Sequence, residues 1–423
     1  MNKTHRNFDT ASQVRFAQLS RDYNPIHVDA IAARRTQAGA LTVHGIHSLL
    51  WLLEAIADSE PHPAGAASLK VQFRKPIYVG DECGIEVVKV TPETVRARIV
   101  IEGTETVVAA IRLGGLRGKA PPPLEDVGAA STVLPASPNN LRFDEMEGRS
   151  GCLSFCTTIG QTTGMFPSAA RVFGARAIAA LVCSSCLIGM VVPGLHSLLV
   201  GLEVSFSDEV AAPTDTLQFK VTSTEPRFRL IYIGVRGGGL YGSLEAVSQP
   251  PVMQQSMARV QTFVAKDEFR HSTALIIGGS RGLGELTAKL VAAGGGRVMI
   301  TYATGKADAE SVAEEIKKVG AECKTATYDI HQGSFQQLAA LGERVPAHIY
   351  YFATPMIFRR KAYCFDLRRF CEFNSFYVGG FIDLVRACAQ QRPEGVKVFY
   401  PSSVFIDTRP ADMTEYADRK THV

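Results

Sequence analysis

The stretch Leu19-Ser20-Arg21-Asp22-Tyr23-Asn24-Pro25-Ile26-His27-Val28-Asp29 decides how the first part of this chain is read. It sets a carboxylate and an imidazole five residues apart across an Asn-Pro turn. Pro25 fixes its own φ and pushes Asn24 out of the helical region, so Asp22 and His27 stand on a bend rather than on successive turns of a helix. A bend can aim both at one point, where an imidazole that titrates near neutrality and a carboxylate that tunes it can hold a water and move its proton. A bare Asp/His pair also fits a surface turn with a helix-capping Asp, so the flanks have to decide between the two.

Upstream lies Phe16-Ala17-Gln18-Leu19-Ser20, and downstream Val43-His44-Gly45-Ile46 opens an apolar segment. From Gly45 onward, Ile46, Leu49, Leu50, Leu52, Leu53 and Ile56 recur at helical spacing. Strand-like runs succeed it at 67–73, 82–90, 95–102 and 107–113, separated by Gly, Pro, Asp and Thr turn signals. Through Phe73-Arg74-Lys75-Pro76-Ile77-Tyr78-Val79-Gly80-Asp81 the block resembles the MaoC-like hot-dog hydratases and dehydratases, over about residues 8 to 115. Asp22, Asn24, Pro25 and His27 match that family's motif residue for residue. The resemblance implies one long helix wrapped by an antiparallel sheet, with Asp22, Asn24, His27 and Gly45 in the catalytic site. It also implies a backbone N–H at Gly45 facing a thioester carbonyl, where helix-terminal N–H groups favour a developing enolate oxygen. Gly45 equally fits a packing role, permitting close approach. His44 and His47 read as structural, neither lying in a spacing that asks for metal.

The whole chain narrows the class. Its 423 residues imply two to four domains, and a formal net charge of +4 without any long Lys/Arg block does not point to nucleic acid. The segment Met1 to Thr10 is polar and has no apolar h-region, so no secretory signal is expected. The apolar run from Ala177 to Val192 is interrupted by Ser184 and Ser185 and halted by Pro193-Gly194; it reads as a buried helix and not as a membrane span. Nine scattered cysteines fit a reducing cytoplasm. Cys183-Ser184-Ser185-Cys186 has redox or metal spacing, and Cys152 with Cys156 offers a second pair. With no His beside either pair, buried small hydrophobes are the better account than zinc.

Residues 118 to 140 are rich in Pro and small residues and read as a linker. The block beyond it reads as a weak copy of the first: a helix from Ala175 to Val192 precedes Gly201-Leu202-Glu203-Val204-Ser205-Phe206, which parallels Ser68-Leu69-Lys70-Val71-Gln72-Phe73 at an offset of 133. Thr214-Asp215 stands near where Gly80-Asp81 would fall. At that offset Asp22 and His27 map to Phe155 and Gly160, so the copy has lost the dyad. The resemblance implies a pseudo-dimer in one chain, with one working site and one half reshaped to admit the acyl chain; an unrelated β-rich insert is the alternative.

The third block begins with Thr273-Ala274-Leu275-Ile276-Ile277, an apolar strand that runs into Gly278-Gly279-Ser280-Arg281-Gly282-Leu283-Gly284 and then a helix to about Ala293. Such a turn lets backbone N–H groups approach a pyrophosphate. The second strand carries no acidic residue to hold a ribose 2′-hydroxyl, and Arg281 with Lys306 nearby suits a 2′-phosphate, favouring NADP over NAD. With Asn374, Ser403, Tyr416 and Lys420, this block resembles the short-chain dehydrogenase/reductases (SDR) from about residue 272 onward. The resemblance implies that Tyr416 moves the carbonyl proton, Lys420 lowers its pKa and holds the nicotinamide ribose, Ser403 bonds the substrate oxygen and Asn374 holds a relay water. It places the cofactor against Gly278, Ser280, Arg281, Gly282, Leu283, Gly284, Thr304, Asp329, Ile330 and Lys420. Two departures stand out: Phe352-Ala353-Thr354-Pro355 replaces an Asn-Ala-Gly run, and the sequence stops three residues after Lys420. The cluster Phe358-Arg359-Arg360-Lys361 with Arg368-Arg369 reads as a solvated helical face, or as an attraction for coenzyme A phosphates or an acidic carrier protein.

The expected architecture is an α+β double hot-dog followed by an α/β Rossmann-type (SDR) parallel-sheet domain cut short at its C-terminal part. Residues 1–117 form the MaoC-like domain, 118–140 the linker, 141–266 the degenerate repeat and 267–423 the NADP-binding domain. The expected function is (3R)-hydroxyacyl thioester dehydration or enoyl hydration coupled to NADPH-dependent 3-ketoacyl reduction. The alternatives are a hydratase with an inactive reductase-like domain, or a non-catalytic acyl-binding module. Acyl-CoA or acyl carrier protein is the expected partner, with a homo-oligomer as a family expectation.

Overall fold

The structure is a computed structural model of the whole chain, and it describes residues 4–59, 65–114, 124, 127, 132–207, 215–251, 254–342, 344–357, 365–410 and 413–421. Thr214 and the basic run Arg359-Arg360-Lys361 lie outside the described residues. The chain divides into two compact units, Met1–Pro251 and Val252–Val423.

In the first unit β1 (Thr4–Asn7) precedes α1 (Thr10–Ser20), α2 (Pro25–Val28), α3 (Ala30–Arg35) and α4 (Gly45–Ala57). Four antiparallel strands come next, β2 (Ala66–Phe73), β3 (Glu82–Val90), β4 (Thr94–Ile101) and β5 (Thr104–Leu113). The chain then repeats this plan: β6 (Ser150–Ser154), α5 (Ile159–Met165), α6 (Pro167–Phe173), α7 (Ala175–Cys186) extended by a wider turn over Leu187–Val191, and β7 (Ser197–Phe206), β8 (Thr216–Glu225), β9 (Leu230–Gly237) and β10 (Leu240–Ser248). All ten strands form one sheet in the order β1-β3-β4-β5-β2-β7-β10-β9-β8-β6. Counted inward from either edge, the two sets of five have the same connectivity. Their junction is the β2–β7 pair, where Lys70 lies opposite Glu203, the residue 133 positions on, and its Nζ bonds that carboxylate at 2.7 Å. Each strand of the central pair thus meets its own counterpart.

Period-2 and period-3.6 patterns explain the layers. On β4, Val95, Ala97, Ile99 and Ile101 point into the core, while Arg98 points out to Glu86 at 2.8 Å and to Glu105. Helix α4 is apolar on nearly every face, and Ile46, Leu49, Leu50, Leu52, Leu53 and Ile56 are all but fully buried. Each such side chain contributes roughly 2 kcal/mol by leaving water. Glu54 links the helices of the two halves, its carboxylate accepting the N–H groups of Ser168 and Ala169 at the start of α6 at 3.0 and 2.8 Å. Among the described residues no single helix is long and apolar enough to cross a membrane; Pro167–Phe173 and Ala175–Val191 pass that test only together, bent by 112°.

The segment read as a linker departs from expectation where it is described. Asn139 donates its N–H to Met190 at 2.9 Å and its Nδ2 to Val191 at 3.1 Å, so this part lies along the second half of the sheet unit. The boundary at residue 266 also moves. Helix α8 (Met257–Val260) belongs to the second unit, because Met257 is buried in that unit's core and donates its N–H to Glu315 at 2.8 Å.

The second unit alternates strands and helices: β11 (Thr273–Ile277), α9 (Gly282–Ala293), β12 (Arg297–Tyr302), α10 (Lys306–Lys318), β13 (Cys323–Thr327), α11 (Ser334–Ala339) and β14 (His348–Tyr351). Then come α12 (Leu367–Asn374), α13 (Gly380–Gln391), β15 (Lys397–Phe399), α14 (Phe405–Thr408) and α15 (Thr414–Thr421). The five parallel strands stand in the order β13-β12-β11-β14-β15, the doubly wound arrangement whose strand order reverses between β11 and β14. Buried apolar residues line both faces of this sheet, as a parallel sheet covered by helices requires.

Candidate active site

Helix α1 ends where Arg21 turns left-handed at φ 60, and the chain drops into the Asp22 bend. Two local bonds shape that bend: the Asp22 N–H donates to Ser20 Oγ at 3.2 Å, and the Asn24 N–H donates to Asp22 Oδ1 at 3.2 Å. Asn24 Oδ1 then caps α2 by accepting the Ile26 N–H, with Pro25 at the first helical position. This sets His27 on α2 facing the same space as Asp22.

Asp22, His27 and Gly45 line one cavity of about 170 Å³. Asn24 is not among its walls. Its Nδ2 donates to the carbonyls of Gly189 and Gly194 at 3.0 and 3.1 Å, so it fastens the bend to the other half of the unit. Gly45 is the first residue of α4, where a backbone N–H has no acceptor within the helix. The packing reading of Gly45 has its own observation, because a Cβ there would lie 3.3 Å from the Phe73 ring.

The far wall comes from the second half. Ser185 Oγ donates to Asp22 Oδ2 at 2.7 Å, and Gly189 lies so close that a Cβ there would sit 2.1 Å from Asp22 Oδ1. Ser197, Leu198, Leu199 and Val200 of the β7 region complete that side, while exposed Arg74 and Lys75 of the first half stand at the rim. Sequence reading misses Ser185 and Gly189, although a signal is present: Ser185 is a hydroxyl inside a buried apolar helix and needs a partner. Its neighbour Ser184 is satisfied within the helix, by the Ala180 carbonyl at 3.0 Å.

His44 also does more than fill the core. Its ring stacks on His27 with centroids 3.9 Å apart, its Nε2 faces the Asp22 carbonyl at 3.1 Å and its Nδ1 faces Gln13 Oε1 at 2.9 Å. Ligand atoms of Asp22, His27 and His44 all lie within 4.8 Å of one another. His47 is a core histidine, bonded to Gln13 Nε2 at 3.2 Å and stacked on Phe16.

Electrostatics push the dyad toward neutrality. Burial raises the Asp22 pKa above the usual carboxylate value, opposed by His27 and by the Ser185 hydroxyl. Burial lowers the His27 pKa, opposed by Asp22. His27 Nδ1 lies 2.9 Å from the Thr42 carbonyl, which can only accept, so Nδ1 carries the hydrogen and Nε2 keeps its lone pair. The site can therefore hold a water between a base nitrogen and a carboxyl group.

In the second unit the glycine turn joins β11 to α9 as expected. Gly278 and Gly282 are left-handed at φ 80 and 59, and a Cβ on Gly284 would lie 2.2 Å from the Gly278 carbonyl. The N–H groups of Gly278 and Gly279 bond Thr301 at 3.2 and 3.0 Å. Ser280 is buried, whereas Arg281 and Leu283 face outward. Asp329 closes its own turn by accepting the His331 N–H at 3.0 Å, Ile330 packs on Gly380, and Thr304 follows β12.

Tyr416 and Lys420 share α15, but the four residues read as a reductase site are not hydrogen-bonded to one another. Lys420 Nζ donates to the Pro401 carbonyl at 3.0 Å and sits over the rings of Tyr377 and Tyr400, with its pKa lowered to about 8 by burial. Ser403 Oγ accepts the Phe405 N–H at 3.3 Å, Asn374 Oδ1 accepts from Arg419 at 3.1 Å, and the Tyr416 ring packs edge-on against Phe373 and Tyr377.

Comparisons with known proteins agree with the two units. Residues 2–110 match the model of the MaoC like domain, and residues 272–351 match that of the short chain dehydrogenases. A 3-hydroxybutyryl-CoA dehydratase of Methylorubrum extorquens is 31% identical over 97 residues, 22% of this chain and 62% of that protein. An (R)-specific enoyl-CoA hydratase of Aeromonas caviae is 33% identical over 84 residues, 19% of this chain and 62% of that protein. The chain thus spans about three fifths of the length of each of these curated relatives. Among solved structures, a short chain dehydrogenase from Burkholderia cenocepacia in complex with NADP is 24% identical, covering 36% of this chain and 64% of that one, with a TM-score of 0.33. One chain thus carries a match to the MaoC like domain in its first unit and a match to the short chain dehydrogenases in its second.

Proposed function

We propose that the first unit is a tandem hot-dog enzyme that interconverts a trans-2-enoyl thioester and the (3R)-hydroxyacyl thioester. The observation that carries this is the convergence of Asp22, His27 and Gly45 on one cavity, with Ser185 bonded to the catalytic carboxylate. In the hydration direction the water oxygen bonds to C3 as its proton passes to the bare His27 Nε2. The thioester carbonyl becomes an enolate that the Gly45 N–H stabilises, and C2 then takes a proton from the dyad, so that one water is added overall. Dehydration runs the same steps backward, with the dyad protonating the leaving hydroxyl.

The exposed Arg74 and Lys75 at the rim suit the phosphates of coenzyme A, and the two curated relatives are named for coenzyme A thioesters. A cavity of about 170 Å³ is smaller than the ~300 Å³ at which pockets for drug-sized ligands begin. A short acyl chain suits a cavity of this size.

The second unit is proposed to reduce the 3-ketoacyl thioester, with NADPH as the hydride donor when bound. Its glycine turn fits a dinucleotide, since Gly284 lets α9 pack tightly on the turn at Gly278 and the space over Gly282 is open, and Arg281 and Lys306 suit a 2′-phosphate. The product of this reduction is the substrate of the dehydration, which makes the pairing chemically sensible. A second reading, in which this unit assists without reducing, is favoured by the inward engagement of Lys420 with Pro401 and of Ser403 with Phe405.

The test is to incubate the protein with crotonyl-CoA and, separately, with acetoacetyl-CoA and NADPH, following products by mass. Hydration of the first, abolished by Asp22→Asn, supports the dyad assignment, and no hydration at all overturns it. Consumption of NADPH in the second reaction, lost in Tyr416→Phe, selects the bifunctional reading, and an idle second unit selects the other.

A further inference from the structure

Three cysteines that are distant in sequence meet beside the dyad's supporting helix. Cys183 and Cys186 lie on one face of α7, and Cys156 sits in the turn between β6 and α5. Cys156 Sγ stands 3.9 Å from Cys183 Sγ, and Cys186 Sγ donates to the Arg21 carbonyl at 3.6 Å. Cys183 and Cys186 are buried, whereas Cys156 is partly exposed, which gives the cluster one partly exposed cysteine backed by two enclosed ones. The thiols of Cys183 and Cys186 hold the Cys156 pKa down through their hydrogen bonds to it, with Arg21 adding to the effect, while their own are pushed up. A partly exposed cysteine whose sulfur stands 3.9 Å from that of a buried one is the arrangement that oxidation selects.

We propose that Cys156 and Cys183 form a peroxide-sensitive thiol pair, with Cys156 the attacking sulfur and Cys183 the resolving one. The Cys156 thiolate attacks one oxygen of hydrogen peroxide; the O–O bond breaks, hydroxide leaves and is protonated to water, and Cys156 becomes a sulfenic acid. The Cys183 sulfur then attacks the Cys156 sulfur, the S–O bond breaks, and the departing hydroxide takes the Cys183 proton as a second water. Two thiols are thus oxidised by two electrons and one peroxide is reduced. The sulfurs must close from 3.9 Å to about 2.05 Å, a movement that the turn carrying Cys156 can supply by rotation about its side chain. The resulting bond would tie this turn to α7, the helix that presents Ser185 to Asp22.

The site is independent of the hydratase reading and is tested without measuring turnover. The full chain is treated with one equivalent of hydrogen peroxide, quenched with an alkylating agent, digested without reductant and mapped by mass. The expected result is a linked peptide pair containing Cys156 and Cys183, about 2 Da lighter than the sum of the reduced peptides and restored by dithiothreitol. Exposed Cys371 of the second unit, which has no thiol partner among the described residues, is the internal comparison and should be alkylated as a free thiol. Cys183→Ala should stop Cys156 at the sulfenic acid, trapped by dimedone, and Cys186→Ala should leave the linked pair in place. Because Cys183 is buried, Cys156→Ser serves as the second variant: it keeps the fold's interior intact and should abolish both the linkage and the dimedone adduct. A Cys156–Cys186 link, oxidation of Cys371 ahead of Cys156, or no loss of mass would each overturn the assignment.

Discussion

The two halves of the ten-stranded sheet share a connectivity and differ in chemistry. The first half places a carboxylate and an imidazole on the bend after α1; the corresponding bend of the second half, after α5 at Phe166-Pro167, carries neither, whereas Phe155 and Gly160, reached by the sequence offset of 133, lie in the turn before α5 and within α5. Yet the second half is not idle, for its helix α7 bonds Asp22 through Ser185 and leaves room for that carboxylate at Gly189. A half without its own acid/base pair has become the floor of its neighbour's site. The two halves therefore cannot be exchanged, although their backbones follow one plan.

Removing the dyad puts this asymmetry to its hardest test. Asp22→Asn or His27→Ala should lower crotonyl-CoA hydration by about 10²–10⁴-fold, the usual contribution of a general acid or base. The reciprocal change, Gly164→Asp with Ala169→His, placed about Pro167 as Asp22 and His27 are placed about Pro25, should restore nothing when added to either, since Ser185 and Gly189 serve only the Asp22 side. Recovery of turnover in that combined variant would show that the halves are equivalent after all.

Next in size is the floor itself. A methyl group at residue 189 would overlap Asp22 Oδ1, so Gly189→Ala must displace the carboxylate by about an ångström. Misplacement on that scale costs about 10²-fold in rate. The expected signature is a fall in kcat with the thermal unfolding midpoint nearly unchanged, and an undiminished kcat would mean that Asp22 does not act from the position seen here.

Ser185→Ala is a subtler probe, because it removes a hydrogen bond but leaves the space. The Ser185 hydroxyl lowers the Asp22 pKa against the larger upward push of burial. Deleting it raises that pKa further, so the acid limb of the kcat/KM profile for hydration should move to higher pH, with a loss of roughly tenfold at neutral pH. A variant that lost rate equally at every pH would mark Ser185 as a packing residue.

These residues also show what the sequence discloses and what it withholds. The strands of the first half, the start of α4 at Gly45 and the glycine turn after β11 are all legible, because each rests on local periodicity or on a turn residue that few others could replace. The Asp22 bend is legible for the same reason, through Asn24-Pro25. Ser185 and Gly189 are not, because their partners lie more than a hundred residues away in the chain, and Cys156 and Cys183 are nearly thirty apart. Periodicity says that α7 is buried but not what it is buried against. Resemblance assigns Asn24 to the chemistry, whereas its side chain fastens the bend to the Gly189 and Gly194 carbonyls. The boundary near residue 266 is misplaced from sequence because α8 is four residues long and carries too little pattern to assign.

The smallest effect comes from the histidines packed around the dyad. Burial lowers the pKa of His27, and that of His44 and His47 well below 6.5, so each binds a proton more readily in the unfolded chain than in the folded one. The stability that this confers is fully present above the unfolded value and is lost as pH falls from 6.5 toward the folded values, at no more than ~1.4 kcal/mol per pH unit for each group. Asp22 works in the opposite sense: its raised folded pKa means that the folded state holds the proton more tightly, so it offsets part of the loss in the acid range. The single tryptophan, Trp51 on α4, lies in the first unit and reports its unfolding by fluorescence. The unfolding midpoint read from Trp51 should fall by roughly 5 °C between about pH 7 and pH 5, and Asp22→Asn, which removes the offsetting carboxyl, should steepen that fall. A slope in Asp22→Asn no steeper than that of the parent would mean that the carboxyl takes up no proton in this range, and that burial does not govern the dyad.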